Sequence, residues 1–296
     1  MKDPDYRLVT VGGGSASLWW KQVPLLNGRT CGFIGNLHAG DEAGATALLD
    51  DACRVLADEG GCEWAVGPVD GDTWHNYRVV VESSGVPPFP GEPVLDRFWA
   101  GWFSGSGFSV LAAYTSSRVN LESASDEGAR QRVASRLQAL GVVIRQLNLQ
   151  EWEAELERIH AVSLEAFRGA FLYTPLNDGE FRALYEKARP LVDPQWVWIA
   201  ECDGRAVGFV FAFRLPGQNA LFVKTLAVVP GRRFAGLGSV LLDRVQHAAL
   251  IDGCSHAIHC LQHEANTSLR VSSRYLPEVI RRYALFARKT GDSGVL

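Results

Sequence analysis

The stretch Ala220–Leu242, ALFVKTLAVVPGRRFAGLGSVLL, holds the residues whose types and spacing are best suited to chemistry. An apolar run leads into a turn dense in glycine and arginine, and apolar residues at helical spacing follow. Strand, glycine turn and helix in that order make an anion site. The first N–H groups of a helix lack intrahelical partners and carry partial positive charge, so phosphates settle there. Arg233, Gly236 and Gly238 fall into the spacing R-x-x-G-x-G. A glycine turn bent only for packing would satisfy the same letters, so the surroundings have to decide.

Two other stretches carry reactive residue types. In CSHAIHC, Cys254, His256, His259 and Cys260 sit close in sequence, with His263 beyond. On a strand, Cys254 and Cys260 lie about 20 Å apart at ~3.3 Å per residue. They cannot share one tetrahedral zinc, and His256 and His259 point to opposite faces, so no metal site is expected. The run Asp70–Arg78, DGDTWHNYR, offers Trp74, His75, Tyr77 and Arg78 either as walls of an acceptor pocket or as core anchors around a buried ion-paired arginine.

The elements that must position these groups can be read from periodicity. Short apolar runs between residues 7 and 36 read as antiparallel strands, with a tight turn at Asn27-Gly28. Leu48, Leu49, Ala52, Val55 and Leu56 recur at helical spacing over 42–59 and stop at Gly60-Gly61, before a strand from Cys62 to Gly67. Phe98, Trp99, Trp102 and Phe103 read as the core face of a helix. Residues 122–140 read as a linker helix closed by Gly141. Beyond it come a strand at 142–147, helices at 151–167 and 178–189, and a hairpin of 196–201 with 206–212. Strand 220–229, a helix from about 238 to 252 with Leu237, Leu241, Val245 and Ala248 on one face, and strand His256–Leu261 follow.

Strand, turn, helix, glycine and strand thus occur twice, about 190 residues apart, which suggests a duplication. The turns differ. Where the second reads GRRFAGLGS, the first reads HAGDEAGAT, acidic and without arginine, so only the second suits a pyrophosphate. Domains are expected at 1–120 and 142–296, with a linker helix at 121–141.

The 296 residues, 47% hydrophobic and 21% charged, suffice for one large or two medium globular domains. A net charge of −4 gives no global field for nucleic acid or anionic membrane. The N-terminus MKDPDYRLV reads as no secretory signal, and no apolar run reaches membrane-spanning length. Six cysteines without a C-x-x-C pair fit reduced, buried thiols, and a cytoplasmic location is expected.

Val228, Arg233, Gly236 and Gly238, set behind IAECDGRAVGFVFAF and LAVVP, resemble the acyl-coenzyme A loop of the GNAT N-acetyltransferase superfamily. From 142 onward the element order is similar to a complete GNAT domain, about half of the chain. The whole chain resembles a bacterial family with a degenerate GNAT-like unit in front; Gly67-Pro68, Gly71–Arg78, Gly107-Phe108, Val223–Leu226 and Ile280–Phe286 carry that likeness. The resemblance implies an α+β fold of tandem GNAT-like units, each a mixed, mostly antiparallel sheet flanked by helices. It also implies acetyl-CoA as cofactor, with Leu226, Ala227 and Val228 pairing with the pantetheine arm. Backbone groups of Arg233, Phe234, Ala235, Gly236, Leu237, Gly238 and Ser239 would hold the pyrophosphate, glycine leaving room for its oxygens. Asn266 matches a cofactor-contacting position and equally suits a helix N-cap.

Acetyl transfer requires a neutral amine, a base for its proton and an acid for the thiolate. The family's tyrosine position is Ser273 here, and Tyr275 two residues on is the expected acid. Lys224 on the central strand does not serve as a base unless desolvated, which leaves Glu264 and His263 at the strand mouth. The expected activity is acetyl transfer to the amine of a small molecule by a monomer or homodimer, without nucleic-acid or membrane partners. A non-catalytic acyl-CoA sensor is the alternative. Protein acetylation finds no charged docking groove in the composition.

Overall fold

The computed structural model describes residues 3–122, 127–265 and 277–291, except for the side chains of residues 127, 129 and 191. Asn266, Ser273 and Tyr275 lie outside the described residues. In chain order the elements are β1 (Tyr6–Val9), β2 (Ser15–Trp19), β3 (Cys31–His38), α1 (Glu42–Asp58), β4 (Trp64–Gly67), β5 (Val79–Ser83), α2 (Phe98–Gly105) and β6 (Ser109–Asn120). Then come α3 (Glu127–Ala139), β7 (Val143–Gln146), α4 (Trp152–Ala166), α5 (Asp178–Glu186), β8 (Val197–Cys202), β9 (Arg205–Arg214), β10 (Ala220–Val228), α6 (Leu237–Ile251), β11 (His256–His263) and β12 (Glu278–Lys289). No helix among the described residues is long and apolar enough to cross a membrane.

The chain forms two compact units. Unit 1 comprises Met1–Thr115, Phe171–Thr174 and Ile280–Leu296, and unit 2 comprises Ser116–Ala170 and Pro175–Val279. This division departs from the chain-order one at 120 and 141, because β12 from Ile280 onward lies in unit 1. There it pairs antiparallel with β4, Phe286 opposite Gly67 and Lys289 opposite Trp64, and with β5, Arg281 opposite Ser83. Phe286 stacks on Phe103 with centroids 5.4 Å apart, and Arg288 reaches Asp50 at 2.7 Å.

In unit 1 the strands run β1-β2-β3-β4-β12. The expected Asn27-Gly28 turn is present: Leu26 and Arg29 exchange backbone hydrogen bonds and both turn residues have positive φ. Helix α1 buries Ala45, Leu48, Leu49, Ala52 and Leu56 against this sheet. Its approach is close, since a Cβ on Gly32 would lie 2.3 Å from Leu56 Cδ2. Trp99 and Phe103, one helical turn apart on α2, are core as expected. Phe98 is not: it is 57% exposed, because α2 offers the sheet only a narrow face.

Unit 2 orders its strands β11-β10-β9-β8-β7, with α4 and α6 packed on the sheet. Leu237, Leu241 and Val245 of α6 are buried as their spacing predicts, but Ala249 takes the inner position expected of Ala248. Gly208 of β9 lets α6 come close, for a Cβ there would meet Leu237 and Leu241 at 3.3 Å.

One buried ionic cluster holds β12 in unit 1. Glu92 accepts from Arg281 Nη1, from the Tyr283 hydroxyl and from the Phe89 N–H at 3.3 Å, and Arg281 also donates to the Val86 carbonyl. Both charged side chains are at most 5% exposed. Removing one partner strands the other charge, so Glu92→Ala should lower stability by about 3–5 kcal/mol in a urea titration, whereas Glu92→Leu with Arg281→Met should recover most of it. Equal losses in the single and double variants would exclude a cost dominated by the stranded charge.

Candidate active site

Strand β10 positions the site. It pairs with β9 along its whole length, from Leu221 opposite Arg214 to Val228 opposite Gly208, with an irregularity between Val223 and Thr225. On its other edge it runs parallel to β11, but only from Ala220 opposite His256 to Val223 opposite His259. Past that point the ladder between these two strands stops, while β10 stays paired with β9. The side of Leu226, Ala227 and Val228 that faces away from β9 therefore has no strand neighbour among the described residues, and an extended polar chain can add there as a strand would. Strand β11 turns aside at Leu261, whose φ is +55° and whose N–H donates to Ser116 Oγ at 3.0 Å.

The turn after β10 leads into α6. Residues Arg232–Phe234 form one turn of 3-10 helix, and Gly236 is the N-cap of α6 at φ +83°. Glycine is required there for its left-handed conformation and for space, since a Cβ would lie 2.7 Å from Val133 Cγ1. Gly236 offers no side-chain cap, and no acidic residue stands in the first turn of α6. The helix start is left with donors and positive potential for an anion. At Gly238 an added Cβ would find only ordinary contacts, 3.7 Å to Leu226 and Val228.

The side chain of Arg233, as distinct from its backbone, is held in an ion pair. It is half exposed, and its Nη2 binds Asp203 at 2.8 Å and the Cys202 sulfur at 3.3 Å. The guanidinium holds the Asp203 carboxyl below the usual carboxylate range. Arg233 thus ties the turn to the β8–β9 hairpin tip, and Arg232 is the turn cation without an ion pair among the described residues. Sequence reasoning missed Arg136 of α3. It donates from Nη1 to the Arg233 carbonyl at 3.0 Å and from Nη2 to the Ala235 carbonyl, while Arg130 of the same helix pairs with Asp243 at 3.2 Å. The one available signal was the helical spacing of Val133 and Leu137, which gave the helix but not its target.

At the far end of β11, His263 is half-buried and Glu264 exposed. His263 Nδ1 accepts the Ala265 N–H at 3.0 Å, which puts the ring proton on Nε2. Inside the sheet, His259 is 2.8 Å from the Gln246 amide, and burial pushes its pKa down to about 4, so it is a neutral core residue. In unit 1, Trp74 donates to the Thr174 carbonyl at 2.8 Å and His75 is 2.7 Å from the buried Asp72. Arg78, offered by sequence as an ion-pair partner, stacks on Tyr77 and Tyr114, 3.7 and 4.2 Å from their centroids.

Residues 156–270 match the family model described as the Acetyltransferase (GNAT) family, a span that holds the strand divergence, the glycine turn and α6. Over that span the chain is similar to the GNAT superfamily. Among solved GNAT structures, a GCN5-related N-acetyltransferase from Sphaerobacter thermophilus aligns at TM-score 0.54 and 13% identity, over 95% of this chain and 79% of its own. A tandem GNAT protein from the clavulanic acid biosynthesis pathway aligns at TM-score 0.51 and 14% identity, over 98% of this chain and 85% of its own. The fold is α+β with tandem GNAT-like units. A curated relative, "Bacterial ceramide synthase" of Caulobacter vibrioides (strain NA1000 / CB15N), is 26% identical over 221 residues, 72% of this chain and 56% of that protein. The chain spans about half the length of that relative.

The two glycines of this GNAT turn should respond differently. Gly236→Ala should cost about 1–3 kcal/mol from its backbone conformation alone, read as a fall in denaturation midpoint. Gly238→Ala, in helical backbone with open contacts, should change stability by less than about 1 kcal/mol. Equal effects would rule out both the left-handed backbone and the close approach of Val133 as reasons for Gly236.

Proposed function

We propose that unit 2 is an acyl-CoA-dependent N-acyltransferase that uses acetyl-CoA and acylates the amine of a small molecule. The observation that carries this reading is the release of β10 from β11 immediately before an uncapped helix start. Leu226, Ala227 and Val228 offer an open strand side for the pantetheine arm. The turn from Arg233 through Phe234, Ala235, Gly236, Leu237, Gly238 and Ser239 offers backbone donors for the pyrophosphate. Asn266 completes the cofactor contacts in this proposal. The halves 1–120 and 142–296, joined by 121–141, are taken as the two copies of a duplicated unit, of which the first has lost the phosphate turn. The protein would work in the cytoplasm as a monomer or homodimer.

In the proposed reaction a neutral amine attacks the thioester carbonyl, a C–N bond forms, and the C–S bond breaks to release the thiolate. Glu264, exposed beside the strand mouth, takes the proton that the amine loses, and Tyr275 supplies one to the thiolate. His263, with its ring proton on Nε2, suits donation to the substrate better than proton removal.

The relative's name favours one variation. A ceramide is a fatty amide of a long-chain amino alcohol, so a related reaction here would take a longer acyl chain and an apolar amine. Parallel titrations with acetyl-CoA and palmitoyl-CoA separate the two donors. At a hundred times Kd the true donor should stabilise the protein by about 2.7 kcal/mol, seen as a rise in Tm. Gly238→Glu places a carboxylate beside the helix start, and should erase that rise while leaving the ligand-free Tm nearly unchanged. No shift with either donor would defeat the cofactor assignment.

Turnover is tested by thiol release with a panel of amines. Glu264→Gln should lower kcat by about 10²–10⁴-fold with little change in donor affinity. Tight donor binding without release on any amine would instead establish the sensor.

A further inference from the structure

Unit 1 holds a cavity of about 820 Å³ that the acyl-transfer reading does not use. It opens where the parallel pairing of β3 with β4 stops. The ladder runs from Cys31 opposite Trp64 to Phe33 opposite Val66, and β3 then continues to His38 with β2 as its partner on the other edge. This is the place in the first strand–turn–helix unit that corresponds to the divergence of β10 from β11 in the second. Its chemistry is reversed. The start of α1 is capped by its own carboxylate, Asp41 Oδ1 accepting the Gly44 N–H at 2.8 Å, and Glu42 follows in the first turn. An anion finds the Gly44 donor occupied and its approach opposed by two carboxylates.

The cavity wall is aromatic as well as acidic. Tyr77, Phe98, Trp99 and Trp102 line it, and Phe98 and Val94 at its rim are 57% and 84% exposed. Four carboxylates, those of Asp41, Glu42, Asp70 and Asp96, stand in the lining against one guanidinium, that of Arg78. That guanidinium lies over the rings of Tyr77 and Tyr114 and is only 5% exposed. A cleft with low-dielectric walls and carboxylates of one sign focuses a negative potential, and aromatic faces attract a cation and its apolar body alike.

We propose that this cavity binds an amphipathic organic ammonium ion, its charged head toward Asp41, Glu42 and Asp96 and its hydrocarbon body against Phe98, Trp99 and Trp102. The site is independent of the phosphate turn in unit 2 and does not rest on transfer chemistry there.

Isothermal titration of the full chain, without CoA, with decylammonium, decanol and decanoate at matched chain length tests this. Decylammonium should bind about tenfold or more tighter than decanol, and decanoate should not bind measurably. Asp41→Asn with Glu42→Gln keeps the helix cap, since asparagine caps as well as aspartate, and should weaken decylammonium binding several-fold at unchanged Tm. Trp102→Ala should weaken both decylammonium and decanol. Gly238→Glu should leave decylammonium binding intact. The proposal is overturned if decanol binds as tightly as decylammonium, if the Asp41/Glu42 variant binds like the parent, or if Gly238→Glu abolishes the binding.

Discussion

Two parallel strands that stop pairing before either ends are the constraint on which unit 2 is arranged. Keeping β10 straight to Val228 requires a partner on one side throughout, and β9 supplies it. Releasing β11 after His259 requires somewhere for its backbone to go, and Ser116 takes the Leu261 N–H. The result is an open strand side that ends in a helix start. Neither feature alone would be distinctive. A bare strand side is an edge that proteins usually cover, and an uncapped helix start is common enough; the chain delivers one directly into the other.

The turn at this junction is held from outside rather than by its own residues. Arg233 is anchored to the hairpin tip at Asp203, and Arg136 grips the carbonyls of Arg233 and Ala235 from the linker helix. With those carbonyls held by Arg136, the turn is fixed by contacts from outside it, so an anion binding there would have less chain to order. The basic residue that marks the motif therefore serves here as a strut. Helix α3 thus braces both the turn and α6 through Arg136 and Arg130.

Much of this was legible in the letters. The R-x-x-G-x-G spacing behind a strand, the helical period of α1 and α6, the Asn27-Gly28 turn and the acidic replacement at Asp41-Glu42 are local facts, and local sequence states them. What could not be read was tertiary. Nothing in SRLQA says that Arg136 meets Ala235, and nothing around Arg78 says that its guanidinium lies across two phenol rings. Phe98 was misjudged because a run of four large aromatics does not say how narrow a face the sheet will accept. The placement of β12 was also out of reach, since an apolar strand carries no label for the partner it will choose.

That placement has a consequence in time. Strand β4 is made well before its neighbour β12, which follows some two hundred residues later in the sequence. A pairing across so long a stretch of chain forms slowly, because the intervening loop must close before any contact rewards it. During synthesis the edge of β4 and the inner face of Phe103 stay uncovered while the whole of the second half is built. Unit 1 is begun before unit 2 and completed after it, and a chain truncated just short of Ile280 would leave unit 1 without the strand that pairs with both β4 and β5.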